Sequence, residues 1–401
     1  MTALFRKPIF LAVILGHFTL DIFNNSGPVL VTSLSKNLAW STAQVGFAIG
    51  AYQFFAALAQ PLFGWIDDKI GSRWLGAGSV AWTISFLLLS LFLVQRTHSF
   101  AWFIVPYVLA SVGSSAFHPL GTKHAAETST ERAATGTAIF FLFGQTGLAS
   151  GPTITGFILD GVGLTGMYAL AFFAAPVLLL MAFSLRHTGP KITDTAVDGV
   201  SNPHRPRQAV QWGTIILLAM VLGLRSWAAI GTVSFLPKLF QEMGWNATSY
   251  GLITSTFWMA SAIAGVMAGN LADRFGRRQV VFITLLLGSI PLYFIPLNNG
   301  WLAFLLVVLT GGFIGASHSI LVIIAQSVLP GGKSFASGVT LGFIFGTGAI
   351  AAWIIGIGAG FVGVGTMIQV GTALAIIASL LACFLPSTKK AAQPQAEGVP
   401  A

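Results

Sequence analysis

Long apolar stretches recur along this chain, separated by short polar or Gly/Pro-rich breaks. A helix needs about 20 apolar residues to cross the hydrocarbon core of a bilayer. Twelve stretches come close to that length, at approximately residues 8–34, 43–66, 74–95, 100–124, 136–159, 164–185, 212–240, 247–271, 279–297, 301–329, 336–360 and 365–385. One break is long and hydrophilic, holds Pro190, Pro203 and Pro206, and divides the stretches six and six. The pattern predicts an all-α polytopic membrane protein. An N-terminal six-helix bundle over 1–185 and a C-terminal one over 212–386 flank a cytoplasmic linker, 186–211. The Ala-, Gln- and Pro-rich tail, 387–401, reads as disordered. The first stretch is too long for the apolar region of a secretory signal and contains His17 and Asp21, so it reads as a retained membrane helix.

Composition sharpens this picture. Hydrophobic residues make up 55% of the 401 and charged residues 8%, where a soluble domain carries about a quarter charged. Most of the surface must therefore face lipid. The formal charge of +9 would suggest nucleic acid in a soluble domain, but no hydrophilic stretch here is long enough to fold alone. The basic residues divide by side instead. Sixteen of the 20 Lys and Arg fall on the side of the two termini. Three (Lys36, Arg96 and Lys238) fall on the other, and Arg225 lies inside a span. This asymmetry predicts cytoplasmic termini in a bacterial-type inner membrane. The single cysteine, Cys383, excludes an intrachain disulfide and any Cys-based zinc site.

The halves repeat. Gly64-Trp-Ile-Asp-Asp68-Lys69-Ile-Gly71-Ser-Arg73 aligns with Gly269-Asn-Leu-Ala-Asp273-Arg274-Phe-Gly276-Arg277-Arg278, each after the second helix of its half. Both copies resemble the G-x-L-x-D-R-x-G-R-R loop of the major facilitator superfamily, with Lys69 and Ser72 departing from it. The resemblance implies two pseudo-symmetric six-helix bundles, and such duplicated transporters bind substrate near the midplane between the halves. Asp68 and Asp273, at helix ends, can pair with basic residues or with a positive helix N-terminus. These loops are candidate gating latches; plain positive-inside loops are the alternative. In the fifth stretch, Gly147-x-x-x-Gly151-Pro152-x-x-x-Gly156 resembles the Gly-Pro-rich motif of the antiporter branch, with Thr155 where a second Gly is common. Small residues at this spacing let helices approach closely, and close packing alone is the competing reading. Leu15-Gly16-His17-Phe18-x-x-Asp21 and Gly113-Ser114-Ser115-Ala116-Phe117-His118-Pro119-x-Gly121 resemble the fosmidomycin-resistance branch. Its members export drugs, fosmidomycin being a small phosphonate, so this likeness implies efflux.

Ionisable groups inside hydrocarbon are costly and functional by default. His17, Asp21, His118, Arg225 and His318 fall within the first, fourth, seventh and tenth stretches, the helices that line the central cavity in the family resembled. His17 and Asp21, four apart, share a helix face continued by Asn24 and Asn25. Asp21 is the first candidate for the proton carrier, with His17 sharing or relaying the proton. Burial favours a neutral carboxyl and a nearby cation favours a carboxylate, so Arg225 could switch it; an inert Asp21–Arg225 or Asp21–His17 pair is the alternative. Arg225 also suits a carboxylate or phosphonate substrate through its planar fork. His118, His318, Asn24, Asn25, Ser115, Gln53 and Gln145 are further substrate candidates. No Walker loop or His-Glu-x-x-His motif occurs, nor a Gly-x-Ser-x-Gly elbow, and His17-x-x-x-Asp21 offers too few ligands for a metal. The sequence therefore predicts no enzyme and no cofactor. It predicts a monomeric, proton-driven antiporter that exports a small drug-like compound, with anions among the candidates. Its partners are that compound, lipid and protons, without nucleic acid. The alternative is a proton-coupled importer of a small organic anion; a channel or an intramembrane hydrolase ranks below both.

Overall fold

The computed structural model describes residues 4–70, 72–128, 133–186, 211–329 and 333–386. Gly71, positions 187–210 of the expected linker and the expected tail 387–401 lie outside the described residues, as does the side chain of Asp68. Twelve long helices and no strand are present among the described residues. The N-terminal six are α1 (Pro8–Asn37), α2 (Thr42–Leu58, continued as Gln60–Ile70), α3 (Ser72–Thr97), α4 (Phe100–Glu127), α5 (Ala133–Gly161) and α6 (Gly166–Ser184). Then come α7 (Trp212–Ser226, continued as Thr232–Glu242), α8 (Ala247–Phe275), α9 (Arg277–Phe294), α10 (Trp301–Val328), α11 (Lys333–Val362) and α12 (Val364–Ala382). Eleven of them are long and apolar enough to cross a membrane. The twelfth, α5, has the length, but Gly, Ser and Thr dilute its hydropathy. The protein is an all-α, multi-pass membrane protein.

Hydropathy alone did not mark two interruptions. α2 breaks at Ala59 because Pro61 has no N–H to continue the ladder. The hydroxyl of Ser115 on α4 donates to the Ala56 carbonyl at 2.8 Å, which meets the demand that backbone groups be satisfied inside a membrane. α7 passes through a π-helical turn, Trp227–Gly231, just beyond Arg225. Such turns often mark functional sites.

Glycines set the packing. α1 is the most buried of the spans, and α5 lies along it. A Cβ at Gly147 or Gly151 would come within 2.5 Å of the Phe18 or Ile22 carbonyl oxygen, and Gly144 sits against the His17 ring. The two halves meet along two seams, α2 with α11 and α5 with α8. On the first, a Cβ at Gly46 would be 2.7 Å from Gly356 Cα. On the second, Gly156 abuts the Ala247 carbonyl and Gly251 the Pro152 carbonyl. The Gly147–Gly156 motif thus serves both α1 and the opposite half.

Hydrogen bonds between the halves gather, among the described residues, in the half of the molecule away from the termini. Gln241 Nε2 donates to the Thr32 carbonyl at 2.8 Å, Lys238 Nζ to Ser35 Oγ at 3.3 Å, and Thr153 Oγ1 to Ser255 Oγ at 2.7 Å. Asp160 on α5 accepts from the backbone N–H of Ala247 at 3.1 Å and of Thr248 at 2.7 Å. That carboxylate caps the N-terminus of α8 across the seam. The two halves are therefore held together at the end opposite the termini.

Candidate functional site

Two polar clusters occupy the helices on which the sequence placed its membrane-embedded ionisable groups. The first belongs to the N-terminal half. His17 and Asp21 lie one turn apart on α1, with His17 Nε2 3.2 Å from Asp21 Oδ2. The other nitrogen of His17, Nδ1, donates to the Phe140 carbonyl at 2.8 Å, while the ring stacks on Phe140 at 3.9 Å. Asp21 Oδ1 accepts from Asn24 Nδ2 at 2.9 Å and lies 3.8 Å from His118 Nε2. His118 Nδ1 donates back along α4 to the Ser114 carbonyl at 2.7 Å. Asn24 also donates to Ser114 Oγ at 2.9 Å and accepts from Tyr52 OH at 2.7 Å. One donor atom each from His17, Asp21 and His118 lie within 4.8 Å of one another. The His17 and Asp21 side chains are 3% and 6% exposed, whereas His118 is 25% exposed.

The second cluster belongs to the C-terminal half. Arg225, at the end of the first segment of α7, is 3% exposed. Its Nε donates to Ser317 Oγ at 3.2 Å, its Nη1 to His318 Nδ1 at 3.3 Å and its Nη2 to the Ile314 carbonyl at 3.2 Å. No carboxylate pairs with it among the described residues. A guanidinium has five N–H donors, so two remain beyond these three bonds. Because Arg225 can only donate, His318 Nδ1 accepts, and a neutral His318 carries its proton on Nε2.

The Asp21–Arg225 pair weighed from the sequence is not formed. Each residue finds its partners within its own half: Asp21 on α1 and α4, Arg225 on α10. Asn25 donates to the Leu148 carbonyl at 2.5 Å and so ties α1 to α5, and Ser115 is fully buried in the α2 break. Both hold helices together instead of facing open space. Gln53 bridges to Ser234 Oγ at 3.3 Å and leaves a buried Oε1 without a partner. Gln145 is half-buried on α5.

The two loops expected from the sequence to act as gating latches differ from that expectation in which residues are engaged. The engaged carboxylate of the first loop is Asp67, one residue before the motif position: it is buried and accepts from Lys123 Nζ at 2.9 Å and Ser72 Oγ at 2.5 Å. Gly64 packs on Pro119, and Arg73 lies over the Trp74 ring at 4.9 Å. In the second loop Gly276 has φ +95°, which favours glycine. Gly269 has open space beside it, Asp273 and Arg274 are exposed, and Arg277 and Arg278 are half-buried at the start of α9. Tyr52, Ser317, Asp67 and Asp160 escaped the sequence reading. A tyrosine beside Gln53 within an apolar stretch, and a serine beside His318, were the available signals.

The family model described as Major Facilitator Superfamily matches residues 9–230 and 215–401. The fosmidomycin resistance protein of Escherichia coli (strain K12) is 26% identical over 384 residues, covering 94% of this chain and 92% of that protein. An uncharacterized MFS-type transporter of Bacillus subtilis (strain 168), YfnC, is 26% identical over 392 residues, covering 96% and 94%. Among solved structures, a D-xylose-proton symporter superposes with a TM-score of 0.76 at 16% identity, covering 95% of this chain and 98% of the other.

Proposed function

The chain belongs to the major facilitator superfamily, and we propose that it exports a small anionic compound in exchange for protons by alternating access. The observation that carries this reading is Arg225. A buried charge without a counter-charge is costly unless something pairs with it. Here the guanidinium lacks a carboxylate partner among the described residues and keeps two N–H groups beyond its three bonds. An anionic substrate supplies the missing partner, and His318 Nε2–H adds a donor beside it. The Asp21 cluster supplies the proton site in the other half, so the two ligands bind on opposite bundles. The proton gradient is then the energy source, with no cofactor required.

Export is supported by the likeness to the fosmidomycin resistance protein of Escherichia coli and by the Gly147–Gly156 motif. The excess of Lys and Arg on the side of the termini supports cytoplasmic termini, and hence an inward-facing state in an inner membrane. A second reading has an observation of its own. A protonated Asp21 cluster and Arg225 are both positive, and like charges favour binding the anion and the proton together. That electrostatic argument supports symport.

Purified protein in liposomes with an internal pH dye, challenged with phosphonates, organic acids and cationic drugs, tests both readings. Export by exchange gives proton movement opposite to the anion, and Asp21→Asn abolishes it. Protons that move in the same direction as the anion establish symport. Transport of cations alone sinks the anion reading.

A further inference from the structure

Hydrogen-bond direction fixes where protons sit in the N-terminal cluster. A carbonyl oxygen only accepts, so His17 Nδ1, facing the Phe140 carbonyl at 2.8 Å, carries hydrogen. His118 Nδ1, facing the Ser114 carbonyl at 2.7 Å, carries hydrogen for the same reason. Each ring then turns its Nε2 toward Asp21. At 3.2 Å, His17 Nε2 and Asp21 Oδ2 cannot both present lone pairs, so one proton lies between them. Whether it is drawn on nitrogen or on oxygen, the His17–Asp21 unit is neutral and already filled.

The other carboxylate oxygen is oriented from outside the pair. Tyr52 OH donates to Asn24 Oδ1 at 2.7 Å, which turns the Asn24 amide hydrogens toward Asp21 Oδ1 and Ser114 Oγ. Only one position then remains open. His118 Nε2 stands 3.8 Å from Asp21 Oδ1, beyond hydrogen-bond reach. Its side chain is 25% exposed, against 3% for His17 and 6% for Asp21. The titratable groups that face it are His17 and Asp21 from α1; Tyr52 from α2 reaches the cluster only through Asn24. Asp67 is engaged with Lys123 farther along α4.

We propose that the exchangeable proton of the transport cycle resides on His118 Nε2, while His17 and Asp21 hold a fixed proton that positions the carboxylate. This inference rests on the proton-coupled reading above. A proton taken up at Nε2 from the open side makes an imidazolium beside Asp21 Oδ1 and a charge-assisted bond. The cluster goes from neutral to a single positive charge, and release to water reverses the step. Asp21 acts as the counter-charge and His17 as its positioning residue.

The test is nitrogen NMR of 15N-histidine-labelled protein in nanodiscs across a pH series, with His118→Gln and His17→Gln assigning the signals. The expected result is a His118 ring that changes protonation within the pH series, while the Nδ1-protonated, Nε2-shared state of His17 stays constant. A His17 ring that titrates while His118 does not overturns the proposal. The liposome assay with fosmidomycin as probe is run beside it. His118→Gln should lose probe-driven proton movement while melting at the wild-type temperature, which shows that the variant folds. If His118→Gln keeps wild-type proton movement, the proposal fails. If His118 titrates yet wild-type protein moves no protons with the probe, the proton site stands and the coupling reading falls.

Discussion

His118 and His318 stand at corresponding places on α4 and α10, yet they present opposite ring polarity. His118 Nδ1 donates to the Ser114 carbonyl of its own helix at 2.7 Å, whereas His318 Nδ1 accepts from Arg225 at 3.3 Å. A duplicated position has therefore acquired two chemistries. The N-terminal copy has a bare Nε2 near a carboxylate and can take up a proton. In the C-terminal copy Arg225 occupies the Nδ1 lone pair, so protonation there breaks a bond and places two cations together. On the function proposed above, this asymmetry would make one half the proton side and the other the anion side.

Arg225→Met should abolish anion transport without weakening the fold. Ser317 Oγ already donates to the Ile314 carbonyl at 2.7 Å, so of the three partners of the guanidinium only His318 Nδ1 loses its donor. Replacing an unpaired buried charge with an apolar side chain of similar length is neutral or stabilising. Melting of detergent-solubilised protein should therefore occur at or above the wild-type temperature. Arg225→Lys keeps the charge and loses the fork; its anion affinity should fall roughly tenfold, about 1.4 kcal/mol. Wild-type anion transport by Arg225→Met would remove the anion site from Arg225.

Tyr52→Phe tests the orientation of the carboxylate. Without the phenol hydroxyl the Asn24 amide is free to rotate and can present its oxygen to Asp21. The net loss should be about 1 kcal/mol and should appear as slower proton-coupled transport with anion counterflow unchanged. The effect must run through Asn24, so Tyr52→Phe added to Asn24→Ala should change nothing further. Additive losses in the double variant would show that Tyr52 acts by another route.

Hydropathy was enough to find the helices, because twelve apolar lengths and one long polar break leave little freedom in topology. The broken α2 was visible in Pro61, but nothing around Trp227 announces the π turn, which forms where Gly231 meets Ile355 of α11. His17 and Asp21 were legible as a pair because four residues make one turn. The partner of Arg225 was not, since Ser317 and His318 lie 92 and 93 residues away. Asn25 was misread for a geometric reason: one residue beyond Asn24 it points about 100° around the helix, toward α5 instead of α4. The loop motif drew attention to Asp68, while the contacts belong to Asp67, because alignment marks a position and not the direction of a side chain.

Asp160→Ala should loosen the closed end. The carboxylate caps α8 from the opposite half, with bonds of 3.1 and 2.7 Å to two backbone N–H groups. Loss of an N-cap costs about 1 kcal/mol, and here the cap exists only while the seam is shut. The open population at this end should rise roughly fivefold for a loss of that size. Spin labels on α5 and α8, in a Cys383→Ser background, would report it as a new longer distance. Asp160→Asn should lie between, since Asn also caps well. An unchanged distance distribution in Asp160→Ala would mean that the cap plays no part in closure.

Gly342 and Gly356 on α11 should respond oppositely to alanine. Beyond its chain neighbours and the backbone of its own helix turn, nothing lies within 4 Å of a Cβ built at Gly342, so Gly342→Ala should be neutral or stabilise the helix by up to about 1 kcal/mol. At Gly356 the new methyl would sit 2.6 Å from the Thr42 carbonyl oxygen and 2.7 Å from Gly46 Cα. Backbone cannot move aside as a flexible side chain can, so Gly356→Ala must push α2 and α11 apart. In a transporter that alternates, this disfavours only the state in which the seam is closed. Cysteine accessibility at the end opposite the termini should therefore rise in Gly356→Ala while the helices remain folded, and turnover should fall because one state of the cycle has become too rare. If accessibility and turnover both stayed at wild-type levels, the seam seen here would not be a closed gate but a fixed contact, and alternation would have to occur elsewhere.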